Sequence, residues 1–425
     1  MREDNHMSEF IRDKEGIGWR SEVKYPAAEQ RGMTKLLFSK SAPRGGVLDP
    51  RAAAKCKGTF SSLQACSWLV AYARIKFWVA GIILMFVLTL ALPGSSSAAA
   101  SSKKLGDGKI ATSNGKFSIN AKKKTVTLKK SGTYQISGKI GAYQVVIGTS
   151  DLKVTIVLNN VTCNNTKTSC IYNSKKSTSL TIQSKKGSKN QFTGPAKFVL
   201  ATGKSTPDAV IFSDGDLKFD GSGTITVKDL SSNGDAIGSK KTITMSSGTV
   251  NASSNAASIH ADDIVVLGGT LIAASGDTAV KASQTVRIEG GNCQINAVDK
   301  GIQGKAGVVI KKGTINIRTS WKDGTRFEDF RGITAGVSGA NGKKPVAGSI
   351  VIMGGSITIH SYGDCIHAAN NVTITGGTFM LTSTKDDGIQ AKLMLTISGN
   401  PKLTIQAEGK KVKGEIKNIA SNIKY

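Results

Sequence analysis

Aspartates recur at one place in a repeated sentence. Asp208, Asp235, Asp364 and Asp387 lie two residues before a buried-looking Val or Ile, and Asp277, Asp299 and Asp386 lie three before one. The local strings are "NGDAI", "YGDCI" and "KDDGI". If successive repeats stack as strands, equivalent positions sit about 4.8 Å apart. Carboxylates that close repel unless a cation neutralises them. Calcium suits the task, because it takes six to eight oxygen ligands in flexible geometry. The residues expected to hold it are Asp235, Asp277, Asp299, Asp364, Asp386 and Asp387, with Asp364/Asp386/Asp387 and Asp277/Asp299 as the groups. The competing role for each acid is turn capping, since Asp bonds its own backbone well. Lys300 and Arg331 occupy the same turn position in intervening repeats and offer neutralisation without a metal.

What positions these acids is a repeat. "SIHADDIVVLGGTLIAAS" (Ser258 to Ser275) has kin beginning near Ile171, Val210, Ile237, Val280, Ile302, Ile333, Ile366 and Ile389. From Ile237 to Ile302 the spacing is 21 to 22 residues, and the last interval is 23. A fixed period in this range marks a solenoid. Within each unit, apolar and polar residues alternate on either side of a glycine turn, the strand signature. One unit cannot bury its apolar face, and stacking units solves that. The expected fold is all-β: a right-handed parallel β-helix of roughly ten to thirteen coils, with Lys103 to Asn160 supplying irregular first coils and "GKKVKGEIKNIASNIKY" capping the far end. Gly223, Gly248, Gly269, Gly291, Gly313, Gly355 and Gly377 share one register, where the turn calls for positive φ.

Two intervals break the period: 31 residues from Ile302 to Ile333 and 33 from Ile333 to Ile366. The excess lies in Thr319 to Phe330 and Gly336 to Ser349. Insertions in a solenoid become outer loops, often over a binding face. Trp321 could stack on a flat ligand face, and Arg326 and Arg331 could grip carboxylates. The position after each anchor gives a polar row, Gly238, His260, Lys281, Gln303, Thr334, His367 and Gln390, suited to a linear polymer. His260, His367, Lys300, Trp321, Arg326 and Arg331 are the expected contacts to such a polymer.

The 425 residues carry 57 basic and 29 acidic groups, a net +28. Such basicity points to an anionic partner or to simple solubility. The apolar run Phe77 to Leu92 follows Arg74 and Lys76 and precedes a small-residue stretch around Ala98 and Ala100. That pattern is a secretory signal, or else a single-span anchor, although the run is short for a span. The expected organisation is a disordered basic leader (1–76), a signal or anchor (77–100) and the β-helix (101–425), at the cell surface or outside the cell. The membrane is expected to be met only through the apolar segment. Residues 101–425 keep 43 basic and 21 acidic groups, a net +22, so the basicity belongs to the β-helix. Six cysteines show no C-x-x-C pair, which argues against zinc or redox chemistry. Cys163 and Cys170 are either a disulfide of an exported chain or two buried small residues. Basic residues are not interleaved with aromatics on a nucleic-acid module, so nucleic acid is not an expected partner.

The strings "SIHADDIVVLGGTLIAAS", "CIHAANNVTITGGTFML" and "DDGIQAKLMLTISG" resemble the D-D-G-I-H-A…L-T-I-x-G-G-T-I-T-I repeats of bacterial proteins catalogued as carbohydrate-binding-domain-containing. The resemblance covers about Gly106 to Lys410 and is strongest from Asp208 to Ile405. It implies a secreted or surface β-helix related in architecture to pectate lyases. It also implies binding of cellulose or polygalacturonate, with calcium at acidic turns matching Asp235, Asp364, Asp386 and Asp387. Ala257, Thr278, Lys300 and Arg331 depart from that pattern, which implies fewer metals. The family tends to be acidic, whereas this chain is basic, which tilts the ligand towards an anionic polymer. The expectation is non-catalytic polysaccharide binding, with no catalytic residue singled out. The alternatives are a calcium-dependent lyase using Lys300, Arg331 or Arg318 as base, and a structural adhesin on an anionic wall.

Overall fold

A computed structural model describes residues 101–200, 206–320, 329–337 and 346–425. The leader, the apolar run, Trp321 and Arg326 lie outside the described residues. Among those described there is no α-helix, and none long and apolar enough to cross a membrane.

The chain forms a parallel β-solenoid of about twelve turns. Each coil has three short strands, as in Ile259–Ala261, Asp263–Val266 and Thr270–Ser275. Each pairs in parallel with its equivalents one coil before and after, giving three walls. The first wall is a 13-stranded sheet; the second and third are joined in a 23-stranded one. Alternation decides what goes inside. In Thr270–Ser275, Leu271 and Ala273 are buried while Thr270 and Ile272 face outward. Stacked anchors such as Ile302, Ile333, Ile366 and Ile389 pair one on the next and are fully buried. Each such side chain contributes roughly 1.5–3 kcal/mol of burial. Gly269 shows why the turn before the third wall needs glycine. Its φ is +81°, and a Cβ there would meet the Gly248 carbonyl oxygen at 2.6 Å, a clash on top of left-handed strain.

Four expectations need correction. The anchor near residue 210 is Ile211, which pairs with Ile171 and Ile237; Val210 is displaced by one. Asp208 is therefore three, not two, residues before its anchor. In the turn around Gly223, positive φ falls on Gly221 (+92°) instead. The start is coiled only from Thr125: Ser101–Leu105 and Gly108–Thr112 pair antiparallel, and Phe117–Asn120 pairs antiparallel with Thr125–Leu128. Thr125–Leu128 in turn pairs in parallel with Gln144–Ile147, and Gly132–Gly141 with Lys153–Asn164, which are the irregular first coils expected. The antiparallel cap covers the first parallel coil and hides its edge. At the other end the tail does less than cap. Val412–Lys413 and Ile416–Ile419 extend two walls in parallel, and Ile419 and Ile423 pack against the core. Core residues run from Leu105 to Val412, and the described residues form one compact unit.

Cys163 and Cys170 are free and buried, as are Cys293 and Cys365. Hydrogen bonding with Cys170 and burial push the Cys163 thiol well up, so Cys163 sits as a protonated, packed group.

Candidate functional site

The acid row lies where each coil enters the first wall. Wall pairing aligns Asp235, Ala257, Thr278, Lys300, Arg331, Asp364 and Asp387 at the position two before the anchor. Three of these carboxylates do the same structural job. Asp235 Oδ1 accepts the Ala257 N–H at 3.0 Å, Asp364 Oδ1 the Asp387 N–H at 3.2 Å, and Asp387 Oδ1 the Lys410 N–H at 2.7 Å. Each thus ties the equivalent backbone position of the next coil. Sequence reading missed this clamp, because spacing places the acid but not the amide it caps.

The second oxygen takes a side chain, most often from the position after an anchor. His260 Nδ1 meets Asp235 Oδ2 at 3.0 Å, and His367 Nδ1 meets Asp364 Oδ2 at 2.6 Å. Gln390 Nε2 donates to Asp387 Oδ2 at 3.0 Å, and Lys413 Nζ reaches the same oxygen at 2.9 Å. Arg331 Nε lies 3.4 Å from Asp364 Oδ2 as an ion pair without a well-formed hydrogen bond. Further back, Lys281 pairs with Asp277 at 3.2 Å, and Lys300 spans both Asp299 oxygens at 2.7 and 2.8 Å. Burial nevertheless raises the Asp299 carboxyl, chiefly by desolvation, against the lowering effect of Lys300.

Of the six expected metal ligands, the structure brings three together as one group, and Asp277 and Asp299 as a pair close enough for Asp277 to raise the Asp299 carboxyl. Carboxylate oxygens of Asp364, Asp386 and Asp387 all lie within 4.8 Å of one another, the one such group of three among the described residues. Asp364 is fully buried. The Asp386 carboxyl is pushed up to about 6, first by burial and then by the charges of Asp364 and Asp387. Burial holds the His367 imidazole below its ordinary value despite the Asp364 contact, so near neutral pH it is uncharged and donates Nδ1–H. Arg331 and Lys413 then face three carboxylates. Lys413 is held up mainly by its bond to Asp387.

The expected carbohydrate contacts divide. His260 is open, its side chain 41% exposed, whereas that of His367 is 7% exposed. Lys300 and Arg331 turn to carboxylates. The outward row after the anchors is half-exposed at His260, Lys281 and Gln303 but buried at Thr334, His367 and Gln390. It is therefore not a continuous open ladder. Sequence reading missed a groove of about 370 Å³ on the third wall. Gln294, Asn316 and Thr358 pair as one outward column, and Asn296, Arg318 and His360 as another. The available signal was planar polar side chains at positions where neighbouring coils carry Ile272, Ala274 and Met380.

Known proteins were compared with the chain. No curated protein matches. A solved polysaccharide lyase-like protein from C. thermocellum, a gadolinium derivative, is 22% identical over 72% of this chain and 90% of that one, with a TM-score of 0.36. The family model described as carbohydrate-binding domain-containing protein matches residues 122–388. That span is more than half of the chain and holds the acid row and the third-wall groove, and the protein belongs to the carbohydrate-binding domain-containing family.

Proposed function

We propose that the chain is an exported, non-catalytic protein that binds an acidic, polygalacturonate-like polysaccharide, with calcium held by Asp364, Asp386 and Asp387. The carrying observation is the convergence of those three carboxylates, one of them pushed up to about 6. The donor set is all oxygen, as a hard cation prefers. Arg331 and Lys413 offset two of the three negative charges, which leaves room for a cation that displaces the half-exposed Lys413. Bound there, calcium would neutralise the row and offer coordination to a uronate carboxylate. Export rests on the apolar run Phe77 to Leu92 and its small-residue exit. A non-catalytic role is favoured because Lys300 and Arg331, two bases a lyase would use, are engaged with Asp299 and Asp364, and Arg318 lies on another wall.

The test uses purified residues 101–425 with polygalacturonate, calcium and EDTA, following pull-down and ultraviolet absorbance together. The expected result is capture that EDTA abolishes, with no new absorbance. Rising absorbance from unsaturated products would make the protein a lyase. Capture of cellulose alone, or of neither polymer, would sink the acidic-polysaccharide reading.

Calcium titration provides a second check. Calcium binds the ionised Asp386, so affinity is expected to fall as pH drops through about 6. The stability sign follows from linkage. A carboxyl raised from about 3.9 holds a proton in the folded state that the unfolded chain has released. Metal-free protein therefore loses stability as pH rises from about 4 to about 6, and calcium offsets that loss. Lys413→Ala removes the competing ammonium and is expected to tighten calcium about three- to fivefold, the scale of an exposed ion pair. Weaker calcium binding in this variant would place the metal elsewhere.

A further inference from the structure

The positive charge is concentrated at one end of the solenoid. Residues 101–200 hold 18 lysines and only Asp107 and Asp151, a net +16, whereas residues 201–425 hold 25 basic and 19 acidic groups. Seventeen of the eighteen lysines are exposed. Among the described residues none of them is in an ion pair. Several cations further along are engaged: Lys240 with Asp214, Lys281 with Asp277, Lys300 with Asp299, and Lys413 with Asp387. Uncompensated charge of one sign is unfavourable for the fold itself, so ordinary packing does not account for it.

The fold places the charge at an end and beside a corner. Lys122, Lys123 and Lys124 lie at the turn of the antiparallel cap hairpin, the terminal strand pair of the first wall. Lys129 and Lys130 follow its second strand, and Lys153 opens a second-wall strand one coil on. The backbone here is fixed: the Tyr134 hydroxyl donates to the Lys130 carbonyl at 2.6 Å. Large apolar side chains are scarce on this surface; among residues 101–200, Val199 alone is an exposed one. A face of lysines without apolar wedges binds charge at a surface and does not insert. The chain also enters the solenoid at this end. Ser101 follows the apolar run ending at Leu92 by nine positions, a reach of at most about 30 Å.

We infer that this basic end docks on an anionic phospholipid surface, so that the solenoid meets the bilayer by its N-terminal cap and projects its acid row and third-wall groove away from it. Interfacial phosphates match unpaired lysines, and each lysine near such a surface strengthens binding about fivefold. This goes beyond membrane contact through the apolar run and holds with or without that run. It does not depend on the polysaccharide reading.

The fragment 101–425 suits the test, because the described core, from Leu105 to Val412, lies wholly within it. Co-sedimentation would use vesicles of phosphatidylcholine alone and of phosphatidylcholine with phosphatidylglycerol. Binding is expected only to the anionic vesicles and to be reversed by salt. Replacing Lys122, Lys123, Lys124, Lys129, Lys130 and Lys153 with Gln is expected to weaken it at least about 100-fold. Replacing Lys228, Lys241, Lys312, Lys392, Lys402 and Lys417 with Gln is expected to cost less than a tenth of that effect. Circular dichroism of both variants shows that the fold is kept. Equal losses in the two variants would reduce the effect to net charge and overturn a dedicated docking end. So would equal binding to neutral vesicles. Failure to bind anionic vesicles, with capture of a soluble phosphodiester or uronate polymer by the same lysines, would replace the bilayer with that polymer.

Discussion

Asp364→Ala is expected to destabilise the solenoid by about 3–5 kcal/mol. The carboxylate is fully buried and answers three groups: the His367 Nδ1–H at 2.6 Å, the Asp387 N–H at 3.2 Å and the Arg331 guanidinium at 3.4 Å. Alanine leaves a buried amide without an acceptor and a largely buried cation without a counter-charge. Hydrogen bonds to charged groups are worth about 1.5–3 kcal/mol, and the stranded cation adds the rest. Asp364→Asn keeps an acceptor for the Asp387 amide but not the charge, so an intermediate loss is expected. Urea unfolding measures both. The variant also carries a signature that simple destabilisation does not. Asp364 is the larger of the two neighbouring charges that raise Asp386, so its removal is expected to bring the Asp386 carboxyl down, readable by NMR titration. An Ala variant within about 1 kcal/mol of the parent would show that the clamp between coils is dispensable.

Ile366→Ala is expected to cost about 3–5 kcal/mol, a full large-to-small core penalty. Ile366 is fully buried and sits between Ile333 and Ile389 in the first-wall stack. The wall cannot collapse onto the gap, because inter-coil hydrogen bonds hold neighbouring strands at fixed spacing. Ile416, in the last partial coil and 50% exposed, provides the contrast. Ile416→Ala is expected to stay within about 0.5 kcal/mol. Similar costs at both positions in chemical denaturation would mean that stacking does not carry the stability assigned to it.

How much of this was legible in the sequence depends on the range of the signal. The three-strand coil was readable because its evidence is local: alternation around a glycine turn, repeated every 21 to 23 residues. The slip at Val210 arose where the period fails. Ile171 to Ile211 spans 40 residues, and "AVIF" offers adjacent β-branched candidates, so cross-strand pairing alone selects Ile211. The antiparallel cap was hidden for the same reason, since a strand's direction relative to its partner is not written in its own alternation. Grouping of Asp364, Asp386 and Asp387 was legible, because equal positions in adjacent coils must meet. Their partners were not. His367 serves the aspartate of its own coil, whereas His260 serves Asp235 of the preceding one. That choice turns on side-chain reach, which spacing cannot distinguish. The third-wall groove went unread because amides on an outward face look like ordinary solvated positions.

Register between walls has one more consequence. From Ile237 to Ile302 every coil presents the same three edges to its neighbours, so the coil is an interchangeable part. In-frame loss of the segment from Ile259 to Ala279 would set Val280 on Ile237 and shorten the body by one step of about 4.8 Å. Lineages can therefore change the length of this protein in whole coils, as beads are taken from a string, without redesigning an interior. The stretch from Arg331 to Lys413, where three carboxylates converge with Arg331 and Lys413, lacks that freedom. Variation in size is expected to accumulate upstream of it, while the acidic end is inherited as a block.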